Sequence, residues 1–378
     1  MSNMMKWIIA IIVIILIVAG VWYWQTNKVS TPVETGPIKI GAILPLSGPV
    51  AIWGENIKNG MEIAKSELAQ SGDSIDIIYE DSQGLPTPAI SAFQKLADLD
   101  KVNVVFSIFS RVSVPLVNLA KEKNIPLMMS VVSASGVANA EDGSFRFYSD
   151  AKQYVDPHLV WLTKEKYDEV AILAINDEFG SDVGKILKER LKEKDIKLIA
   201  EEKYAPNSTD FKTQLTKIKS SEPKAIIFIG SVPGEITNAL RQVKELGIKT
   251  DFVEASASLV NVVTSPALIG SLGENANLAE GVYTIAFPFT IGKTGDDFKV
   301  KYREAYNQEP NFAAAFGYDM VMLTLRANGL KGQDLSEKLV TVGNYESLNG
   351  PVSVLPSGEI NPQTYSVRIV NGKIVPVE

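Results

Sequence analysis

Cysteine is absent from the 378 residues, and histidine occurs once. The first absence removes disulfides, thiolate nucleophiles, zinc–thiolate sites and thioether-linked lipid anchors. The second leaves any His-rich metal site or Ser-His-Asp triad to be built around His158 alone. That ring lies in "VDPHLVWL", where a helix begins and a surface or capping role is expected. A basic surplus is lacking too: 37 Lys and Arg against 44 Asp and Glu leave a net charge of −7. Nucleic acid is therefore excluded as a partner, because its binding needs clustered cations to displace counterions. What remains is ordinary globular composition, 46% hydrophobic and 21% charged, over a length that supports two packed cores.

Long apolar runs are also scarce, with one exception. "WIIAIIVIILIVAGVWYW", Trp7 to Trp24, has no charge over 18 residues, close to the ~20 that cross a bilayer core as a helix. Trp7 at one end and Trp22, Tyr23 and Trp24 at the other fit anchoring at both membrane interfaces. A cleaved signal peptide has a shorter apolar region and ends in small residues, so a retained transmembrane anchor is expected. Residues 1–6 form a short tail, and 25–36, "QTNKVSTPVETG", a polar tether. This places a soluble body outside the cytoplasm on a single-pass anchor in the cell membrane; a secreted or periplasmic body is the alternative.

From Pro37 onward apolar strands alternate with amphipathic helices. "IKIGAIL" (38–44) leads to a helix over about 54–70, and "IDIIYED", "VNVVFSI" and "IPLMMSV" continue the series. A second series starts near Gln153 with "EVAILAI", "IKLIAEE", "KAIIFIG", "DFVEAS" and "GVYTIAF". Strands separated by helices of this length imply right-handed βαβ units and parallel sheets. The spacing thus predicts two α/β lobes. After Phe287 come helical stretches over about 296–308 and 312–330, then strands "TYSVRIV" and "KIVPVE" around an Asn-Gly turn.

Catalytic signatures fail on inspection. "GKT" (292–294) resembles a phosphate loop, but the earlier glycine position holds Phe287. "SEPK" with "KTG" imitates a serine acylase pair, yet Pro223 breaks the helical turn that would join Ser221 to Lys224. The paired carboxylates Glu80–Asp81, Glu201–Glu202 and Asp296–Asp297 are adjacent, and at strand ends adjacent side chains point to opposite faces. No enzyme, metal site or cofactor is expected.

In open parallel sheets ligands bind beyond the carboxyl ends of the strands. Those ends carry Ser47, Ser110, Ser133 and Ser135 in the first lobe. Serines in such places also serve as helix caps, but their shared edge points to a site for a carboxylate or amide oxygen. Trp53 can wall the mouth of that cleft, and Phe179 and the "GSVPG" loop (230–234) occupy the corresponding ends in the second lobe.

"IKIGAILPLSGPVAIWGENIKNGMEIA", the pair Asp81–Ser82, "IPLMMSVVSAS", "DEFGSDVG", "FIGSVPGEITNALRQVKELG" and "FAAAFGYD" stand in an order that resembles one family. It is the extracellular solute-binding proteins of branched-chain amino acid ABC transporters, of the leucine/isoleucine/valine type. The resemblance covers about residues 37–378. It implies the type I periplasmic binding protein fold, with two Rossmann-like lobes joined by crossings near 149–153, 284–288 and 346–350. Residues 37–150 and 287–347 would form one lobe, and 151–286 and 348–378 the other. A permease and ATPase subunits would be the partners. The same fold serves as a sensing ectodomain, but a transducing receptor would add a cytoplasmic domain, and about six residues precede the span.

By the same resemblance Ser110 binds a ligand carboxylate, Ser133 serves carboxylate and ammonium, and the Val131 carbonyl accepts from the ammonium. Trp53, Phe179 and Val232 stand where leucine-binding members carry tyrosine. One departure concerns the ammonium. The glutamate that pairs with it in those members is replaced by Ser256, with Glu254 two residues earlier, ~6–7 Å back along the strand. A branched-chain or other apolar amino acid is the expected ligand; a small amide, or a carboxylate without the amine, is the alternative.

Overall fold

The computed structural model describes residues 37–378 apart from 231, 266–267, 328–331 and 378. The expected anchor at Trp7–Trp24 lies outside them. Among the described residues no helix is long and apolar enough to cross a membrane.

The first series opens with β1 (Ile38–Leu44), α1 (Ala51–Gln70), β2 (Ile75–Asp81) and α2 (Pro86–Lys95). It continues through β3 (Val104–Ile108), α3 (Ser110–Lys123), β4 (Leu127–Ser130) and β5 (Ser144–Phe147). The second series comprises α4 (Ala151–Lys164), β6 (Glu169–Ile175), α5 (Glu178–Glu193), β7 (Lys197–Tyr204) and α6 (Lys212–Ser220). It is completed by β8 (Ala225–Ile229), α7 (Pro233–Glu245), β9 (Asp251–Glu254), α8 (Ser258–Thr264) and β10 (Tyr283–Ala286). Then come α9 (Asp296–Tyr306), α10 (Phe312–Arg326), α11 (Gly332–Val342) and the hairpin β11 (Asn344–Ser347) and β12 (Gly350–Ser353). Short strands β13 (Glu359–Ile360), β14 (Tyr365–Val370) and β15 (Lys373–Pro376) finish the chain.

These strands build two main sheets. One is all parallel, in the order β13-β5-β4-β3-β1-β2; the other runs β15-β14-β10-β9-β8-β6-β7, with antiparallel β14 and β15 at its edge. The second sheet is buried on both faces, and β6 shows how. Val170, Ile172 and Ala174 feed one core while Ala171, Leu173 and Ile175 feed the other, as the two-residue period of a strand dictates. In the first lobe α10 is the central helix. Its run "FAAAFGYDMVMLTL" is apolar nearly all round and lies among Phe147, Phe287 and α1.

The last crossing differs from expectation. β13 pairs with β5 in the first sheet, Glu359 opposite Arg146, so the chain passes to the second lobe between Ile360 and Tyr365. Residues 348–360 therefore belong with the first lobe, not the second. The reason is a buried fork. Arg146 binds Glu359 through Nε–Oε2 at 2.8 Å and Nη2–Oε1 at 2.6 Å, while Nη1 donates to the Ala134 carbonyl at 2.6 Å. A two-residue strand held by one arginine has no periodicity to read. The histidine also departs from its surface or capping role. His158 shares the inward face of α4 with Tyr154, Val155 and Leu162, and is buried with Nε2 unpartnered. Burial lowers its pKa to about 4.

Candidate functional site

The carboxyl ends of β1, β3 and β4 face those of β6, β8 and β9 across the gap between the lobes, and a narrow, partly open void lies between them. From the first lobe Trp53, Ser110, Val131 and Ser133 line it; from the second, Phe179 and Ser256. The structure thus brings six of the eight expected residues to one cavity.

The other two lie outside its wall. Val232 is the residue before α7 and packs against the core of the first lobe. Glu254 is fully buried under the wall, where Ser256 Oγ and Thr284 Oγ1 donate to its carboxylate and the Ser258 N–H donates at 3.1 Å. Burial pushes its pKa up to about 7, against the pull of these hydrogen bonds. Two further serines are occupied elsewhere. Ser47 donates to Asp81 at 2.6 Å and fixes the β1–α1 turn, whereas Ser135 donates to Asp182 at 2.9 Å and ties the two lobes together.

The serines of the wall are poised rather than satisfied. Ser133 Oγ is buried with no hydrogen-bond partner, and Ser110 Oγ accepts only a long 3.4 Å bond from the Ala134 N–H. Ser110 also begins α3, whose residue before the helix, Phe109, gives no side-chain cap. The first amides of a helix have no intrahelical acceptor, so this end favours an anion. Backbone strain gathers at the same place. Phe109 has φ 70° and Val131 φ 53°, left-handed values that cost ~1–3 kcal/mol in a residue with a bulky Cβ and persist where the surroundings impose them.

Several wall residues carry no strand-end serine signal. Tyr148 and Tyr154, joined hydroxyl to hydroxyl, come from the first crossing and the start of α4. Phe179 meets the Tyr154 ring edge-on at 6.2 Å, and Trp53 meets Phe109 at 6.0 Å and Phe312 at 5.4 Å. Arg111 reaches across the gap: Nε donates to the Gly84 carbonyl at 2.7 Å and Nη1 to Asp177 at 3.4 Å. Asp177 in turn caps α5 by accepting from the Gly180 N–H at 2.9 Å. Burial raises its pKa, partly offset by that bond and by Arg111.

The cavity therefore offers hydroxyls and helix amides at one end, aromatic rings along its sides, and one internally paired cation and anion. Among the described residues no group of three or more His, Cys, Asp or Glu side chains could hold a metal. Nor does the only histidine reach the serines, since it sits in the second lobe's own packing.

Comparison with known proteins agrees with this architecture. A Leu/Ile/Val-binding protein homolog 2 of Brucella abortus is 27% identical over 246 residues, 62% of this chain and 66% of its own length. The chain thus matches just under two thirds of that relative. A Leu/Ile/Val-binding protein of Citrobacter freundii is 21% identical over 345 residues, 87% of this chain and 90% of its own. Among solved structures, the substrate-binding protein LivJ of Streptococcus pneumoniae with isoleucine has a TM-score of 0.78 at 22% identity, covering 90% of this chain and 99% of that one. A solute-binding protein of R. palustris with benzoate reaches 0.79 at 19%, covering 90% and 96%. These likenesses show the type I fold of two α/β lobes. The periplasmic binding protein family model matches residues 37–373, and the chain belongs to that family.

Proposed function

We propose that this protein binds a small carboxylate-bearing solute with an apolar body between its lobes, outside the cytoplasm, and delivers it to an ABC permease with its ATPase subunits. The observation that carries the reading is Ser133 Oγ, buried and unpartnered beside Ser110 in an aromatic-walled cavity. An unpaired buried hydroxyl costs ~1–3 kcal/mol, and a carboxylate oxygen is the group that removes the cost. Residues 7–24 would hold the body at the membrane as a retained anchor.

A branched-chain or other apolar amino acid is the first ligand reading. Asp177 on the wall supplies a negative group for an ammonium, and the relatives carry Leu/Ile/Val names. An amine-free acid is the second, favoured by Glu254, whose carboxylate is enclosed by three donors of its own lobe. The benzoate complex of a structural neighbour is in keeping with it.

Calorimetry and thermal melts against leucine, isoleucine, valine, 3-methylbutanoate and benzoate test both. A bound ligand at a hundred times its Kd adds about 2.7 kcal/mol to stability, so at least one should raise the Tm. Ser110→Ala with Ser133→Ala should cut affinity by about 100-fold, two charge-assisted bonds at ~1.5 kcal/mol or more each. No response to any of the five, or full affinity in the double variant, would reject the reading.

A further inference from the structure

Behind Trp53 lies a second, wider void between the lobes, open at its mouth, and nothing in the serine cavity accounts for its chemistry. We propose that it is a second binding chamber, for a neutral amide group. As a chamber of the same cleft it extends the function proposed above and rests on that reading.

The observation is a pair of buried polar side chains with nothing to bind. Asn261, on α8, is 3% exposed, and neither its Oδ1 nor its Nδ2 has a hydrogen-bond partner. Trp53 is 2% exposed, its Nε1 is likewise unpartnered, and it lines both voids. Each such group left unpaired costs more than an ordinary hydrogen bond gains on balance. Asn56, also on the wall, makes the contrast. Its Nδ2 donates to the Ile52 carbonyl at 2.8 Å and its Oδ1 accepts from Tyr302 at 3.1 Å, so Asn261 and Trp53 alone of these three await a partner.

The donor set selects the ligand class. An asparagine amide presents one acceptor and two donors in a plane, which a primary amide or peptide unit matches in reverse. Ions are not favoured. The charged residues that line the void, Glu55 and the Arg303–Glu309 pair at 3.2 Å, are exposed and lie at its rim, while its buried polar groups are neutral. The amide could belong to the far end of a long ligand whose carboxylate sits at Ser110 and Ser133, or to a separate small molecule. The chemistry is shared, and the experiment separates the sources.

The chain has five tryptophans, so the indole N–H resonance of Trp53 can be assigned in the full chain by its loss in Trp53→Phe. Titration with propionamide should shift that resonance saturably, and Asn261→Leu should abolish the shift. The same variant should not lower the Tm, because it removes an unpaired buried amide; a role in packing alone would lower it. If Asn261→Leu does not fold, Asn261→Asp keeps the shape while losing both donors, and it should abolish the shift as well. Calorimetry then compares leucine with glutaminyl-leucine. Tighter binding of the dipeptide, lost by about tenfold in Asn261→Leu while leucine is unaffected, assigns the chamber to one long ligand. A dipeptide no tighter than leucine, with the propionamide shift intact, assigns it to a separate amide. No saturable shift, or the same shift in Asn261→Leu, means that the void holds only water and overturns the proposal. If propionamide binds while no carboxylate of the panel does, the chamber stands and the function proposed above falls.

Discussion

Glu254 is the residue whose meaning depends most on distance. It ends β9, two residues before Ser256 on the loop that follows, and its carboxylate lies inside the lobe, where Ser256, Ser258 and Thr284 donate to it. It acts on the cavity through the wall it holds, since Ser256 and Ser258 line the void and Glu254 does not. With its folded pKa raised to about 7, the native state binds a proton that the unfolded chain, near 4.5, has released. That contribution to stability is complete below about 4.5 and is lost as pH rises through about 7. Glu254→Gln imitates the protonated form, so its Tm should vary less than wild type between pH 5 and pH 8. Melts across that range check it, and an unchanged slope would mean that Glu254 titrates as an ordinary carboxylate. Ser110 and Ser133 were legible in the sequence because the ends of parallel strands face the cleft whatever the family. Arg111, Asp177, Tyr148 and Tyr154 were not, because pairing across a gap and packing at a crossing leave no periodic trace.

At the scale of elements, α1 and α10 approach each other closely in the first lobe, and two glycines permit it. A Cβ on Gly60 would stand 1.9 Å from the Ala314 carbonyl oxygen, and one on Gly317 would stand 2.2 Å from that of Ile57. The helices cross backbone to backbone, and this contact sets where Trp53, on α1, stands. Alanine at either position must force the helices apart, at a cost of ~1–3 kcal/mol for overpacking. Gly60→Ala and Gly317→Ala should each lower the Tm by several degrees and weaken binding through the displaced tryptophan; a stable variant with wild-type affinity would show that the crossing is slack. The strand and helix alternation of both lobes was readable, as was the β14–β15 hairpin with Asn371 and Gly372 at positive φ. The β11–β12 hairpin and β13 escaped notice, being short elements fixed by single polar anchors. Asp319 is one such anchor. It accepts from the Leu348 N–H at 2.9 Å and from the Tyr345 hydroxyl at 3.2 Å, and burial raises its pKa to about 8.

For the molecule as a whole the question is what holds two lobes together across the cleft. Among the polar contacts that span it beside the cavity, two join side chains far from the crossings: Arg111 to Asp177 at 3.4 Å, and Ser135 to Asp182 with both the N–H at 3.0 Å and the hydroxyl at 2.9 Å. Each joins α3 or the β4 loop of one lobe to α5 of the other, so each exists only while the lobes are shut. The arginine is the stronger candidate for a latch. Its side chain is 12% exposed, its Nε is already fixed by the Gly84 carbonyl, and little further order is lost when the lobes meet. If the proposed function holds, ligand and latch stabilise the same closed state, and their effects add through the population of that state. Arg111→Met keeps an apolar stem of similar length and removes the charge, together with the guanidinium over the Phe109 ring at 5.6 Å. Loss of about 1–2 kcal/mol of closure should weaken affinity for the best ligand of the panel by about 5–30-fold, chiefly through faster dissociation. Small-angle scattering of the ligand-free variant should give a larger radius of gyration than wild type, and saturating ligand should bring the two values together. If dissociation rate and radius both match wild type, the pair is a bystander at the cavity edge, and closure depends on the ligand and on other contacts such as Ser135–Asp182.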